Sequence, residues 1–144
     1  MQVIAIGNDH KGADLKKSLV SFLKKDYTIV DCGSNTSSEK SDYPDFAKKV
    51  ATLVAAKKAD IGILICHTGI GMSIAANRMK SIRAALCYTV EHAKLARLHN
   101  DANILVLGSR FIPQEEAISA AQVFLTTDFE QGRHVGRLKK IEHL

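Results

Sequence analysis

Cys66 stands at the end of an unbroken apolar run, Ile61–Cys66, and is followed at once by His67-Thr68-Gly69-Ile70-Gly71. A thiol there can serve as a base, and two glycines in the turn admit backbone conformations closed to other residues. Successive N–H groups of such a turn can converge on an anion at a helix N-terminus, either a substrate phosphate or an oxyanion formed during reaction. A thiol beside such a nest ionises more readily than a free one, whose pKa is ~8.5. Other uses of glycine turns fit poorly. A nucleotide-binding G-x-x-x-x-G-K-[ST] loop is missing, Ile74 occupies the third small position of a dinucleotide pattern, and Met72 stands where a cysteine phosphatase wants arginine. An inert buried cysteine is the plainer alternative, and the His-Thr-Gly-Ile-Gly that follows weighs against it.

Two further constellations carry polar chemistry. His99-Asn100-Asp101 reads by itself as a helix C-terminus, with a histidine at the negative dipole end and Asn100 available for a left-handed cap. Arg133 and Arg137 lie four apart in a basic tail, so on a helix they share a face and can fork onto a phosphate, a solvated tail being the alternative. Asn8-Asp9-His10, Asp31 and Ser109-Arg110 each follow an apolar run.

These groups need elements to position them. Short β-branched or aliphatic runs at Val3–Ile6, Thr28–Val30, Ile61–Cys66, Arg83–Tyr88 and Asn103–Leu107 predict five strands. Between them, Leu15, Leu19, Phe22 and Leu23, then Phe46, Val50, Leu53 and Val54, then Ala117, Ala120, Ala121, Phe124 and Leu125 have the 3-4 spacing of helices with one buried stripe. Gly69–Arg78 predicts a shorter helix of small residues, Thr89 a cap for a helix through Leu98, and Pro113 the first turn of the helix after strand 5. Strands alternating with helices predict an α/β fold, a five-stranded parallel sheet covered on both faces, with Ile61–Cys66 central. Residues 33–42 form a long polar connection, a candidate rim of a site.

Ligands in such sheets sit beyond the carboxyl ends of the strands. Cys66 lies at that edge, whereas His99, before strand 5, lies at the amino edge. Five or six residues of strand at ~3.3 Å each separate the edges by roughly 15–20 Å. If both act on one small molecule, two subunits must share the site.

The 144 residues predict one domain, residues 1–144, whose basic tail, 129–144, belongs to the site or to a subunit interface. A net charge of +5 invites a nucleic-acid reading, but Lys16–Lys17, Lys24–Lys25, Lys48–Lys49 and Lys57–Lys58 read as solvated helix faces, and no Trp with 6% aromatics leaves no stacking platform. No window approaches the ~18 apolar residues of a membrane span, and the N-terminus does not read as a signal peptide. Three widely spaced cysteines, Cys32, Cys66 and Cys87, suit a reducing cytoplasm and suggest no zinc motif. Cys32 and Cys87 read as structural.

The motifs IAIGNDHKGADLK, SDYPDFAKKVA, ILICHTGIGMSIAANR, IRAAL, AKLARLHNDANILVLGSR and FEQGRHVGR occur in this order. Together they resemble the type B ribose-5-phosphate isomerases, a family that also holds galactose-6-phosphate isomerases, over essentially the whole chain. The resemblance implies a Rossmann-like three-layer α/β/α sandwich, a homodimer with shared sites (in some members a tetramer) and aldose–ketose isomerisation of the pentose phosphate pathway. It implies a cis-enediolate and no metal or other cofactor. Cys66 matches the base between C1 and C2, and His99 the acid that opens the sugar ring. Thr68 and Asp9 complete the implied catalytic set. Asp9, His10, Tyr43, His67, Thr68, Gly69, Ile70, Gly71, Asn100, Arg110, Arg133 and Arg137 fall at substrate-binding positions, with the arginines toward phosphate. His67 departs from the family's usual Gly, and can narrow the pocket, demand another backbone angle or tune the thiol. Cys66 with His99 and Asn100 favours a pentose phosphate over a six-carbon one such as galactose or allose 6-phosphate, and argues against a non-catalytic sugar-phosphate sensor.

Overall fold

The computed structural model describes residues 1–144. Five parallel strands, β1 (Val3–Asn8), β2 (Thr28–Asp31), β3 (Ile61–Cys66), β4 (Ala84–Leu86) and β5 (Ile104–Gly108), form one sheet in the order β2-β1-β3-β5-β4. The crossovers that parallel pairing requires are made by α1 (Ala13–Leu23), α2 (Tyr43–Ala55), α3 (Ile70–Asn77) and α4 (Val90–Asn100), and α5 (Gln114–Thr126) and α6 (His134–Glu142) follow β5.

The two-residue period of the strands divides the interior into two cores. Ile4, Ile6, Ile63, Ile65, Leu105 and Leu107 meet Leu19, Leu23, Ala93, Ala117 and Phe124 of α1, α4 and α5. Ala5, Leu64, Cys66, Ile104 and Val106 point the other way, onto Val50 and Val54 of α2 and Met72 and Ala76 of α3. Each large aliphatic side chain buried this way contributes roughly 1.5–3 kcal/mol. The architecture is the expected α/β/α sandwich with Ile61–Cys66 as its middle strand.

Four local expectations need correction. The run Arg83–Tyr88 shrinks to Ala84–Leu86, because β4 is an edge strand with β5 as its one partner. On α1, Lys16 is only 2% exposed whereas Phe22 is 38% exposed, so the buried stripe is Leu15, Lys16, Leu19 and Leu23, and the first lysine is not a solvated one. Pro113 is the N-cap of α5, in extended backbone, instead of part of its first turn. The left-handed cap of α4 is Asp101 (φ 43°), not Asn100, and contacts from Arg97 and Arg83 to its carboxylate hold it there.

From β1 the chain crosses to β2 on one side, while β3 lies on β1's other side. Such a reversal leaves a crevice beyond the carboxyl ends of the two central strands. The loops after β1 and β3 both open into it.

Candidate active site

Cys66 closes β3, opposite Gly108 of β5, and is 5% exposed. The chain then turns through Gly69, whose φ of 80° is left-handed; a Cβ there would sit 2.5 Å from Leu86. That turn brings the Gly69 amide back to donate to Cys66 Sγ at 3.2 Å. That hydrogen bond fixes the sulfur at the mouth of the loop. Thr68 Oγ1 accepts from the Ile70 amide at 3.1 Å, and Ser73 N donates to Gly69 O at 3.0 Å. Between them, the amides of Gly71 and Met72 donate to no protein acceptor. They are the free donors of this helix N-terminus, positioned to stabilise a developing oxyanion. The Met72 amide was not singled out from the sequence; which of a helix's first four amides stay free depends on where the helix starts and on which nearby groups cap it. Tyr43, at the start of α2, packs its ring against Gly71, where a Cβ would lie 2.5 Å from the ring.

The exit of β1 faces this loop. Asp9 is 5% exposed and its Oδ1 accepts from Lys11 N at 3.0 Å, capping a single 3-10 turn at His10–Gly12. His10 is clasped by Ser41: the His10 amide donates to Ser41 Oγ at 3.1 Å, and the Ser41 amide donates to His10 Nδ1 at 3.3 Å. The neutral ring therefore carries its proton on Nε2. Residues 33–42 thus form a rim that orients His10, as their length and polarity suggested.

Lys16 anchors the base of that rim. Its ammonium forms an ion pair with Asp31 at 3.0 Å, donates to Ser34 O at 3.0 Å and bonds to the Asn35 side chain. Its place at 3-4 spacing with Leu19 and Leu23 was the available signal of burial. Replacing Lys16 by methionine removes charge-assisted bonds worth roughly 1.5–3 kcal/mol. Urea denaturation is expected to show a loss of that size. An unchanged midpoint would mean that the rim is held by other contacts.

His67 is the next residue after Cys66 and so points to the opposite face of the sheet. With Lys11, Asp14, Ser109, Arg110 and Gln114 it lines a cleft of about 350 Å³ between the starts of α1 and α5. Its backbone is not left-handed. Neither a strained angle nor a narrowed Cys66 pocket follows from replacing the family glycine. Of the other two thiols, burial pushes Cys87 up to about 12, and burial together with Asp31 raises Cys32 against the opposing pull of Lys49. Both stay protonated at neutral pH.

The remaining expected residues gather at the other edge of the sheet. His99 and Asn100 form the last turn of α4, and Arg133 and Arg137 lie at the start of α6. Gln131 and Gly132, both left-handed (φ 67° and 59°), turn the chain into α6 so that His134 stacks on His99, ring centroids 4.5 Å apart. Glu130 Oε2 lies 3.5 Å from His134 Nε2 and 3.9 Å from His99 Nε2. Burial, with Arg133 and His99, holds His134 below the usual histidine range against the opposite effect of Glu130. Asp9, His10, Tyr43, Cys66 and Thr68–Gly71 are therefore brought to one edge of the sheet, His67 and Arg110 line a separate cleft at that edge, and His99, Asn100, Arg133 and Arg137 stand a strand length away within one chain.

The ribose/galactose isomerase family model matches residues 4–141. Ribose-5-phosphate isomerase B of Escherichia coli is 44% identical over 142 residues, covering 98% of this chain and 95% of the relative. Among solved structures, the chain is similar to a ribose 5-phosphate isomerase of Thermotoga maritima (TM-score 0.96, 47% identity, 99% of each chain). It is also similar to ribose-5-phosphate isomerase B of Mycoplasma genitalium with bound ribulose-5-phosphate (TM-score 0.93, 45% identity, 98% of this chain and 94% of that one).

Proposed function

The chain belongs to the ribose/galactose isomerase family, and from that premise we propose that it interconverts ribose 5-phosphate and ribulose 5-phosphate through a cis-enediolate. The observation that carries the reading is Cys66 Sγ held by the Gly69 amide beside the free amides of Gly71 and Met72. A proton next to a carbonyl is weakly acidic, so its removal needs a positioned base and donors for the oxygen on which charge develops. Cys66 takes the proton from C2 of the open aldose and returns it to C1. Asp9, Thr68 and Tyr43 line the same crevice and orient the sugar hydroxyls.

Sugar phosphates rest mostly as rings, and His99 is assigned to ring opening, with Asn100 beside it on the substrate. The edge-to-edge separation supports a homodimer in which His99, Asn100, Arg133 and Arg137 of one subunit complete the Cys66 site of the other. The tail, 129–144, then reaches that shared site through Arg133 and Arg137. His10 is assigned to lining the substrate beside Cys66 and Arg110 to the phosphate; His67 shares its cleft with Arg110. No helix is long and apolar enough to cross a membrane, and the three free cysteines support a reducing, cytoplasmic setting.

A coupled assay on ribose 5-phosphate, with galactose 6-phosphate and allose 6-phosphate in parallel, tests the substrate. Turnover of the pentose is expected to dominate, and preferential turnover of either hexose would overturn it. Changing Arg133 or Arg137 to alanine is expected to weaken binding of ribose 5-phosphate much more than binding of ribose. One charge-assisted contact is worth roughly 1.5–3 kcal/mol, about ten- to a hundredfold in affinity. Equal losses for both sugars would assign the arginines to the fold or the interface.

A further inference from the structure

The cluster that carries His99 contains more than ring opening requires. His134 is 5% exposed, and its Nε2 is buried without a hydrogen-bond partner. One ligand atom each from His99, Glu130 and His134 lie within 4.8 Å of one another. Two of the three separations are 3.5 Å, from His134 Nε2 to Glu130 Oε2, and 3.9 Å, from His99 Nε2 to the same oxygen. Tetrahedral zinc, with bonds of about 2.0–2.1 Å to nitrogen, holds its donors about 3.3 Å apart. The two distances to the carboxylate are already within about 0.6 Å of that spacing, and the two imidazole nitrogens lie no more than 4.8 Å apart.

From this juxtaposition we propose that His99, Glu130 and His134 form a site for a divalent zinc-class ion, and that filling it inhibits the enzyme. Two imidazoles and one carboxylate suit zinc far better than magnesium or calcium, which favour all-oxygen shells. The rings lie 19° from parallel, so both lone pairs cannot meet one ion until one ring turns. His99, at the end of α4 and 37% exposed, is the ring with that freedom. Turning it onto the ion takes its nitrogen away from the sugar. Arg133 and Arg137, exposed beside the cluster, oppose a cation and weaken its binding.

The inhibitory part rests on His99 as the ring-opening acid; the binding part does not. Zinc chloride titrated into the isomerase assay is expected to inhibit the wild-type protein, with EDTA restoring activity. Glu130→Gln, at an exposed position outside the catalytic set, should keep basal turnover while raising the half-inhibitory zinc concentration at least about tenfold, since even outer-shell partners of a metal are worth that much. Calorimetry should find one zinc per chain in Cys66→Ala, where that thiol cannot contribute, and lose it in Glu130→Gln and His134→Gln. Inhibition unchanged by Glu130→Gln, or binding abolished in Cys66→Ala, would overturn the site and assign the ion to thiols. Binding that depends on Glu130 without inhibition would support the metal site and overturn the role given to His99.

Discussion

Replacing Cys66 by alanine is expected to lower turnover of ribose 5-phosphate by roughly 10²–10⁴-fold, the usual contribution of a positioned general base. The apparent KM should change little, because Asp9, Tyr43, Arg110 and the free amides of the loop are left in place. The fold should survive, since the substitution trims one small side chain at the mouth of a core otherwise filled by Leu64, Val106 and Met72. Calorimetric or circular-dichroism melting separates loss of chemistry from loss of structure. Cys32→Ala and Cys87→Ala are the controls: both thiols are held protonated, and both variants should stay active. Near-normal isomerisation by folded Cys66→Ala would end its assignment as the base.

Mixing two inactive variants is expected to create activity. Cys66 ends β3 at one edge of the sheet, while His99 precedes β5 at the other. With Cys66 paired to Gly108 and Gly62 to Ile104, the whole of β5 lies between them. If both act on one sugar, each site takes Cys66 from one subunit and His99 from another. A heterodimer of Cys66→Ala and His99→Ala then carries both lesions in one site and none in the other. Random reassortment makes about half the molecules heterodimers, each with one of two sites intact, so recovery should approach about a quarter of wild-type activity. Size-exclusion chromatography of differently tagged chains would establish that subunits exchange. Exchange without recovery would require a site built within one chain, which the register of β3 and β5 opposes.

The Cys66 loop was legible in the sequence because everything it needs is contiguous. An apolar run specifies the buried strand, and two glycines within the next five residues specify the turn into a helix N-terminus. The alternation of strands and helices was legible for the same reason: each element's periodicity is written in its own residues. Even the placement of Cys66 and His99 at opposite edges followed from the order of elements, since a parallel sheet places every strand end on one of two edges. What that local pattern could not specify was which side chains meet across elements. Lys16 reads as one of a surface pair until the packing of α1 turns it, in place of Phe22, toward Asp31 and the rim loop. His10 and Ser41, 31 residues apart, find each other only when that loop closes over the exit of β1. The stacking of His134 on His99, and the carboxylate of Glu130 beside both, depend on two left-handed residues that swing α6 back against the end of α4. Local periodicity selects an element and its buried stripe; the contacts between stripes arise from packing volume and relative orientation, which exist only once the chain has closed on itself.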